Sequence, residues 1–186
     1  LLECSIGALQ ANSRDAKAGS AIGVYLGMWT SEYSQVLHST PLAASVYTTM
    51  ASTCSATAGR VSFVLGLHGP CVSYDTACCS ALVACHAGTR ALQYLECESA
   101  LLSAVNMIFS PLMSSAIAMG GFTSPTGGAR TFDNSADGYV RGEACGVVEL
   151  RPSSGMLASA SAVLGNAVRQ DGRSASFTAP NGLAQK

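Results

Sequence analysis

Charge is scarce in this sequence, and its scarcity excludes whole classes of partner. Only 11% of the 186 residues are Asp, Glu, Lys or Arg, and the net charge is −1. No basic surplus exists to hold nucleic acid or an anionic membrane surface. Aromatic residues make up only 6%, with one tryptophan, and histidine occurs three times. C-x-x-C is absent and Cys85-His86 has no second ligand pair at zinc spacing, so no metal site is expected. No secretory apolar segment precedes the eight cysteines, which are expected to be mostly buried and reduced, as in a reducing compartment. No charge lies between Glu98 and Arg130, yet Asn106, Pro111, several serines and Gly120-Gly121 break that stretch. It offers no uninterrupted run of about 20 apolar residues, so no membrane span is expected. What remains is 48% hydrophobic content, which in one domain of this length implies a deep layered core or a large covered face.

The most informative stretch runs from Gly66 to Gln93. Gly69-Pro70 punctuates it, and Cys71–Tyr74 then reads as a strand. Asp75 or Thr76 is expected to cap a long helix. Its apolar residues fall at 78, 81, 82, 85, 92 and 95, with Ala84, Ala87, Gly88 and Ala91 opposite. Such a helix, small or apolar all round, is expected between layers. A thiol at its start feels the unpaired N–H groups and the positive end of the macrodipole. Such sites can lower a cysteine pKa from about 8.5 to roughly 3.5–7.5. Without that setting Cys78 would be one more small buried hydrophobe.

Other strands are expected at Ala21–Gly27, Ala100–Val105, Glu143–Leu150 and Ala158–Val168. Helical spacing marks Ser55–Leu65, and a short helix is expected near Met113–Met119. Asp-Asn-Ser-Ala-Asp-Gly at 133–138 superficially suggests a calcium loop. It lacks the alternating oxygen ligands and the glutamate twelve residues along that an EF-hand needs.

D-T-A-C at 75–78, preceded by G-L-x-G-P and followed by S-A-L-V-A, resembles the nucleophile motif of β-ketoacyl synthases. F-D-N-S-A-D-G-Y-V-R-G-E-A-C-G-V-V at 132–148 and Q-D-G-R-S-A-S-F-T-A-P-N-G-L-A-Q at 170–185 resemble two further signatures of that family, in its order. Three motifs in register are far more specific than one. Departures include Cys79 for the usual serine, Ser-Ala-Val-Asn at 103–106 for a glycine-rich run, and Arg169 for asparagine.

The resemblance implies an α/β fold with thiolase-like αβαβα layering. The chain would be a fragment, with most of the N-terminal half at about 1–142 and the opening strands of the C-terminal half at about 143–186. It starts without methionine and stops at Lys186 inside a motif, and an unfinished sheet edge is expected. The implied activity is that of a polyketide synthase ketosynthase. Cys78 would carry an acyl chain as a thioester, and a malonyl-type extender would condense with it after decarboxylation. No cofactor is implied within the chain, because both substrates ride on the phosphopantetheine arm of an acyl carrier protein.

Two histidines that assist decarboxylation in the family belong to downstream motifs, which His38, His68 and His86 do not match. The 186-residue chain alone is therefore not expected to condense. A homodimer paired through the nucleophile strand and a cytoplasmic location, or a plastid one, are also implied. The alternatives are a fatty-acid-type synthase, a thiolase, or a silent dimer partner; an intact Cys78 weighs against the last.

Overall fold

The run Ile22–Gly27 is apolar or glycine at every position. In the computed structural model it is the central strand β1, with all 6 residues buried. The structure describes residues 1–11, 19–29, 31–152, 161–176 and 179–184. Ahead of β1 lies helix α1, Leu2–Gln10. After it come α2 (Tyr33–His38), a 3₁₀ turn at Pro41–Ala44, α3 (Val46–Ser52), α4 (Cys54–Leu65) and strand β2 (Cys71–Tyr74). A second 3₁₀ turn, Ala77–Cys79, leads into α5, Ser80–Gln93. Strand β3 (Ser99–Asn106), helix α6 (Pro111–Met119) and strand β4 (Ala144–Leu150) complete the regular elements among the described residues.

The sheet order is β2-β1-β3-β4. β1 is parallel to β2 and β3, whereas β4 runs antiparallel to β3. Side chains alternate across β1 and so build two cores. Ile22, Val24 and Leu26 pack on one face with Leu9 of α1, Ala58 and Val61 of α4, and Leu101 of β3. Tyr25 packs on the other face with Ala84, Ala91 and Leu92 of α5. Helices therefore cover both faces of a mixed sheet, as the α/β expectation required.

Two expectations about α5 need correction. Its buried residues are Ser80, Ala84, Gly88, Ala91 and Leu92, so the small-residue face meets the sheet while Leu82 is 73% exposed. Close approach is the reason. A Cβ added at Gly88 would stand 2.6 Å from Leu102 Cδ2, so larger side chains are forced outward. The helix also starts at Ser80 rather than after Asp75 or Thr76.

Leu1–Ser153 forms one compact unit and Ser154–Lys186 another. Ala144–Leu150, expected to open a second half, is hydrogen-bonded into the sheet of the first unit. β2 and β4 are its edge strands. Of the strand expected at Ala158–Val168, residues 158–160 lie outside the described residues, and 161–168 are irregular. In that second unit Asn181 organises the third motif. Its Nδ2 donates to the Asp171 carbonyl at 3.0 Å, and its Oδ1 accepts from the Leu183 N–H at 3.2 Å.

Candidate active site

Because β1, β2 and β3 run parallel, the turns after β1 and β2 and the end of β3 gather at one end of the sheet. Open α/β sheets build their sites at this carboxyl end. The chain leaves β2 at Tyr74 and reverses into α5 through a corner held by side chains. Asp75 Oδ1 accepts from the Ala77 N–H at 3.3 Å, an Asx turn. Ser80, 3% exposed, works from beneath: its Oγ accepts from the Thr76 N–H at 2.9 Å and donates to the Ala77 carbonyl at 2.7 Å.

These bonds hold Ala77 at φ 55°, a left-handed conformation that costs a non-glycine residue about 1 kcal/mol. After that residue the chain completes the short turn Ala77–Cys79, and the regular helix α5 begins at Ser80. Strain of this kind persists where surrounding bonds over-determine it, and the corner here carries Cys78.

The two adjacent thiols are both exposed but differently engaged. Cys79 Sγ donates to the Thr76 carbonyl at 3.0 Å and approaches Thr76 Oγ1 at 3.3 Å. No hydrogen bond engages Cys78 Sγ among the described residues, so of the two exposed thiols it is the one left unengaged. The expectation that most cysteines are buried is not met. Cys4, Cys71, Cys78, Cys79 and Cys145 are exposed, Cys54 and Cys85 are half-buried, and Cys97 alone is buried. Cys71 and Cys145 sit on the edge strands β2 and β4, and Cys78 and Cys79 sit at the corner, positions that no further layer covers. Burial pushes the Cys54 and Cys97 thiols up from the usual cysteine range, leaving them poorer nucleophiles.

Gly27 at the end of β1 lets the corner seat directly on the sheet. A Cβ there would lie 2.4 Å from the Ser80 carbonyl carbon and 2.5 Å from the Ala81 nitrogen. Gly27→Ala is therefore expected to push the start of α5 off the sheet. The expected cost is about 3 kcal/mol by urea denaturation, the upper end for overpacking. An unchanged midpoint would show that the corner is not seated there.

A second polar cluster at the same sheet end was hidden in the sequence. Glu32, 5% exposed, pairs with Arg141 of the second motif. Its Oε2 accepts from the N–H groups of Phe109 and Ser110 at 3.0 and 2.9 Å, and Arg141 also donates to Ser114 Oγ at 2.6 Å. Burial alone would raise the Glu32 pKa. Arg141 and the two backbone N–H groups outweigh it and hold the carboxyl below its usual range. Glu143 Oε1 accepts from the Ile108 N–H at 2.7 Å, and Asn106 donates to the Gly142 carbonyl at 2.6 Å. The second motif thus clamps the loop that follows β3.

In the suspected calcium loop the carboxylates are occupied by local donors. Asp133 accepts from Ser135, and Asp137 accepts from Ser124 and Thr126. Among the described residues no group of three or more His, Cys, Asp or Glu side chains is placed to hold a metal ion. His38 ends α2, His68 precedes β2 and His86 lies along α5. None is hydrogen-bonded to the Cys78 thiol.

Comparison with known proteins gives a consistent result. The family model described as "Beta-ketoacyl synthase, N-terminal domain" matches residues 1–155. A phenolphthiocerol/phthiocerol polyketide synthase chain of Mycobacterium tuberculosis is 40% identical over 175 residues, covering 92% of this chain and 11% of that protein. The 5-methylorsellinic acid synthase of Aspergillus terreus is 38% identical over 191 residues, covering 99% of this chain and 7% of that protein. The chain thus spans about a tenth of the length of the curated relatives it matches. Among solved structures, the ketosynthase from module 6 of the bacillaene synthase of Bacillus subtilis 168 superposes with a TM-score of 0.83. It is 28% identical, with 99% of this chain and 31% of that one covered. The layered α/β architecture is that of these ketosynthases.

Proposed function

The chain belongs to the β-ketoacyl synthase family, on its polyketide synthase side, and from that premise we propose that its Cys78 is the acyl-carrying nucleophile of a ketosynthase. The observation that carries this reading is the corner itself: an exposed, unengaged thiol at a bond-locked bend beside a second thiol that is tied down.

In the proposed reaction the Cys78 thiolate attacks the acyl thioester on the phosphopantetheine arm of an acyl carrier protein. Backbone N–H groups at the corner, that of Cys78 included, face the tetrahedral oxyanion as it forms. Collapse releases the carrier thiol and leaves the acyl group on Cys78. A malonyl-type thioester on the carrier then loses carbon dioxide, and its enolate carbon attacks the Cys78 thioester. The new carbon–carbon bond forms as the Cys78 thiolate departs.

The chain itself supplies no cofactor to this chemistry. Its substrates are acyl and malonyl thioesters, and its partner is the carrier protein. The exposed edge strand β2 suits pairing with a second copy to give a homodimer. Among the described residues no helix is long and apolar enough to cross a membrane. With bacterial and fungal relatives, the setting proposed is cytoplasmic rather than plastid. Fatty-acid-type synthase and thiolase are not favoured by the relatives, and an intact, presented Cys78 disfavours a silent dimer partner.

Limiting iodoacetamide at neutral pH tests the assignment. Peptide mapping is expected to find Cys78 alkylated before the other seven thiols, about 10-fold faster than the exposed Cys71. Earlier labelling of Cys79 or Cys145 would overturn it.

A further inference from the structure

The proposed chemistry leaves one close pair of thiols unused. Cys4 lies in the first turn of α1 and Cys145 is the second residue of β4, 141 positions along the chain. The Cys145 thiol donates to Cys4 Sγ with 3.8 Å between the sulfurs, and both residues are exposed. No other two thiols are hydrogen-bonded to one another among the described residues. Their elements are held in place from beneath: Leu2, Ala8 and Leu9 of α1 and Val147 of β4 pack on the same apolar core. The sulfurs therefore face each other across a fixed helix–strand contact rather than meeting by chance on mobile loops.

We propose that Cys4 and Cys145 form a dithiol site that closes to a disulfide on meeting an oxidised small-molecule disulfide of the glutathione class. The sulfurs must approach by about 1.8 Å to reach bonding distance, within the reach of side-chain rotation at exposed cysteines. One protein thiolate attacks glutathione disulfide, breaking its S–S bond and releasing one glutathione thiol. The second protein thiolate then attacks the protein sulfur of that mixed disulfide and expels the second glutathione. Two protein thiols are oxidised, one glutathione disulfide is reduced to two thiols, and both protons leave on the products. The neighbouring Cys145 thiol pushes the Cys4 pKa up, so closure should run faster at mildly alkaline pH. The cross-link would tie α1 to β4 across most of the unit, a long loop of the kind whose closure restrains the unfolded chain most. The inference is independent of the assignment of Cys78.

The test treats the full-length protein with graded glutathione disulfide, traps free thiols with iodoacetamide and maps peptides without reduction. The expected product is the Cys4 peptide joined to the Cys145 peptide, lighter than their sum by two hydrogen atoms. It should form while Cys54, Cys85 and Cys97 remain alkylatable, and dithiothreitol should reverse it. Cys4→Ser should stop the reaction at a stable glutathione adduct on Cys145, and Cys145→Ser should stop it at an adduct on Cys4. In the unsubstituted protein, a thermal midpoint raised by several degrees should accompany closure. Separate glutathione adducts on Cys4 and Cys145 in the wild-type protein would overturn the proposal. So would a cross-link joining either residue to another cysteine.

Discussion

Replacing Cys78 by alanine in the full-length protein is expected to lower β-ketoacyl product formation by about 10⁴-fold or more. That is the scale on which covalent catalysts fail when their nucleophile is removed. No neighbouring sulfur can take over. Cys79 is engaged by Thr76, and Cys54 is half-buried with its thiolate disfavoured. Cys79→Ser is expected to retain most activity, because a hydroxyl can make the same bonds to the Thr76 carbonyl and Oγ1. A chain that survives Cys78→Ala but fails as Cys79→Ser would reverse the assignment of the two thiols. Carbon dioxide release and β-ketoacyl formation, followed with acyl and malonyl carrier protein, give the readout.

Arg141→Met is expected to cost about 3–5 kcal/mol, because it strands the buried Glu32 carboxylate without its cation. The effect should depend on pH in a defined direction. With its folded pKa depressed, Glu32 stabilises the wild-type protein above its unfolded pKa of about 4.3. That stability is lost as the pH falls through the lower, folded value. In the variant the burial penalty is no longer outweighed by Arg141, so Glu32 takes up a proton at higher pH and escapes the cost of a buried unpaired charge. The difference in urea midpoint between the two proteins should therefore be largest near neutral pH and shrink toward pH of about 4. A constant difference across that range would mean that packing around the Arg141 stem, not charge, is what was lost.

What was legible in the sequence was what local chemistry dictates. Cys71–Tyr74 is bounded by Gly69-Pro70 and is a strand at those residues, and β1, α4 and β4 lie within one residue of their expected limits. What was not legible depends on neighbours far along the chain. α5 turns its small residues inward because β1 and β3 come within van der Waals reach of Gly88, and no periodicity within the helix records that distance. Asp75 and Thr76 have the composition of helix caps. Ser80, four residues on, instead captures the Thr76 N–H and helps to fix Ala77 in a non-helical conformation. Glu32 and Arg141 stand 109 positions apart, and their pairing follows no spacing rule. The one available signal was composition: a lone carboxylate in the neutral stretch around Trp29–Tyr33, in a chain with so little charge, has to be matched somewhere. For residues 161–168, β-branched and apolar residues suggest a strand, whereas in the structure they lie exposed and outside the sheet.

The central claim is that acyl groups rest on Cys78, and trapping the acyl-enzyme tests it most directly. The full-length protein would be loaded with an acyl thioester on its carrier, without extender, then quenched in acid and digested for mass mapping. The expected result is one acyl group in thioester linkage on Cys78, removed by hydroxylamine and absent from Cys78→Ala. An acyl group on Cys79 or any other residue, or loading that survives in Cys78→Ala, would contradict it.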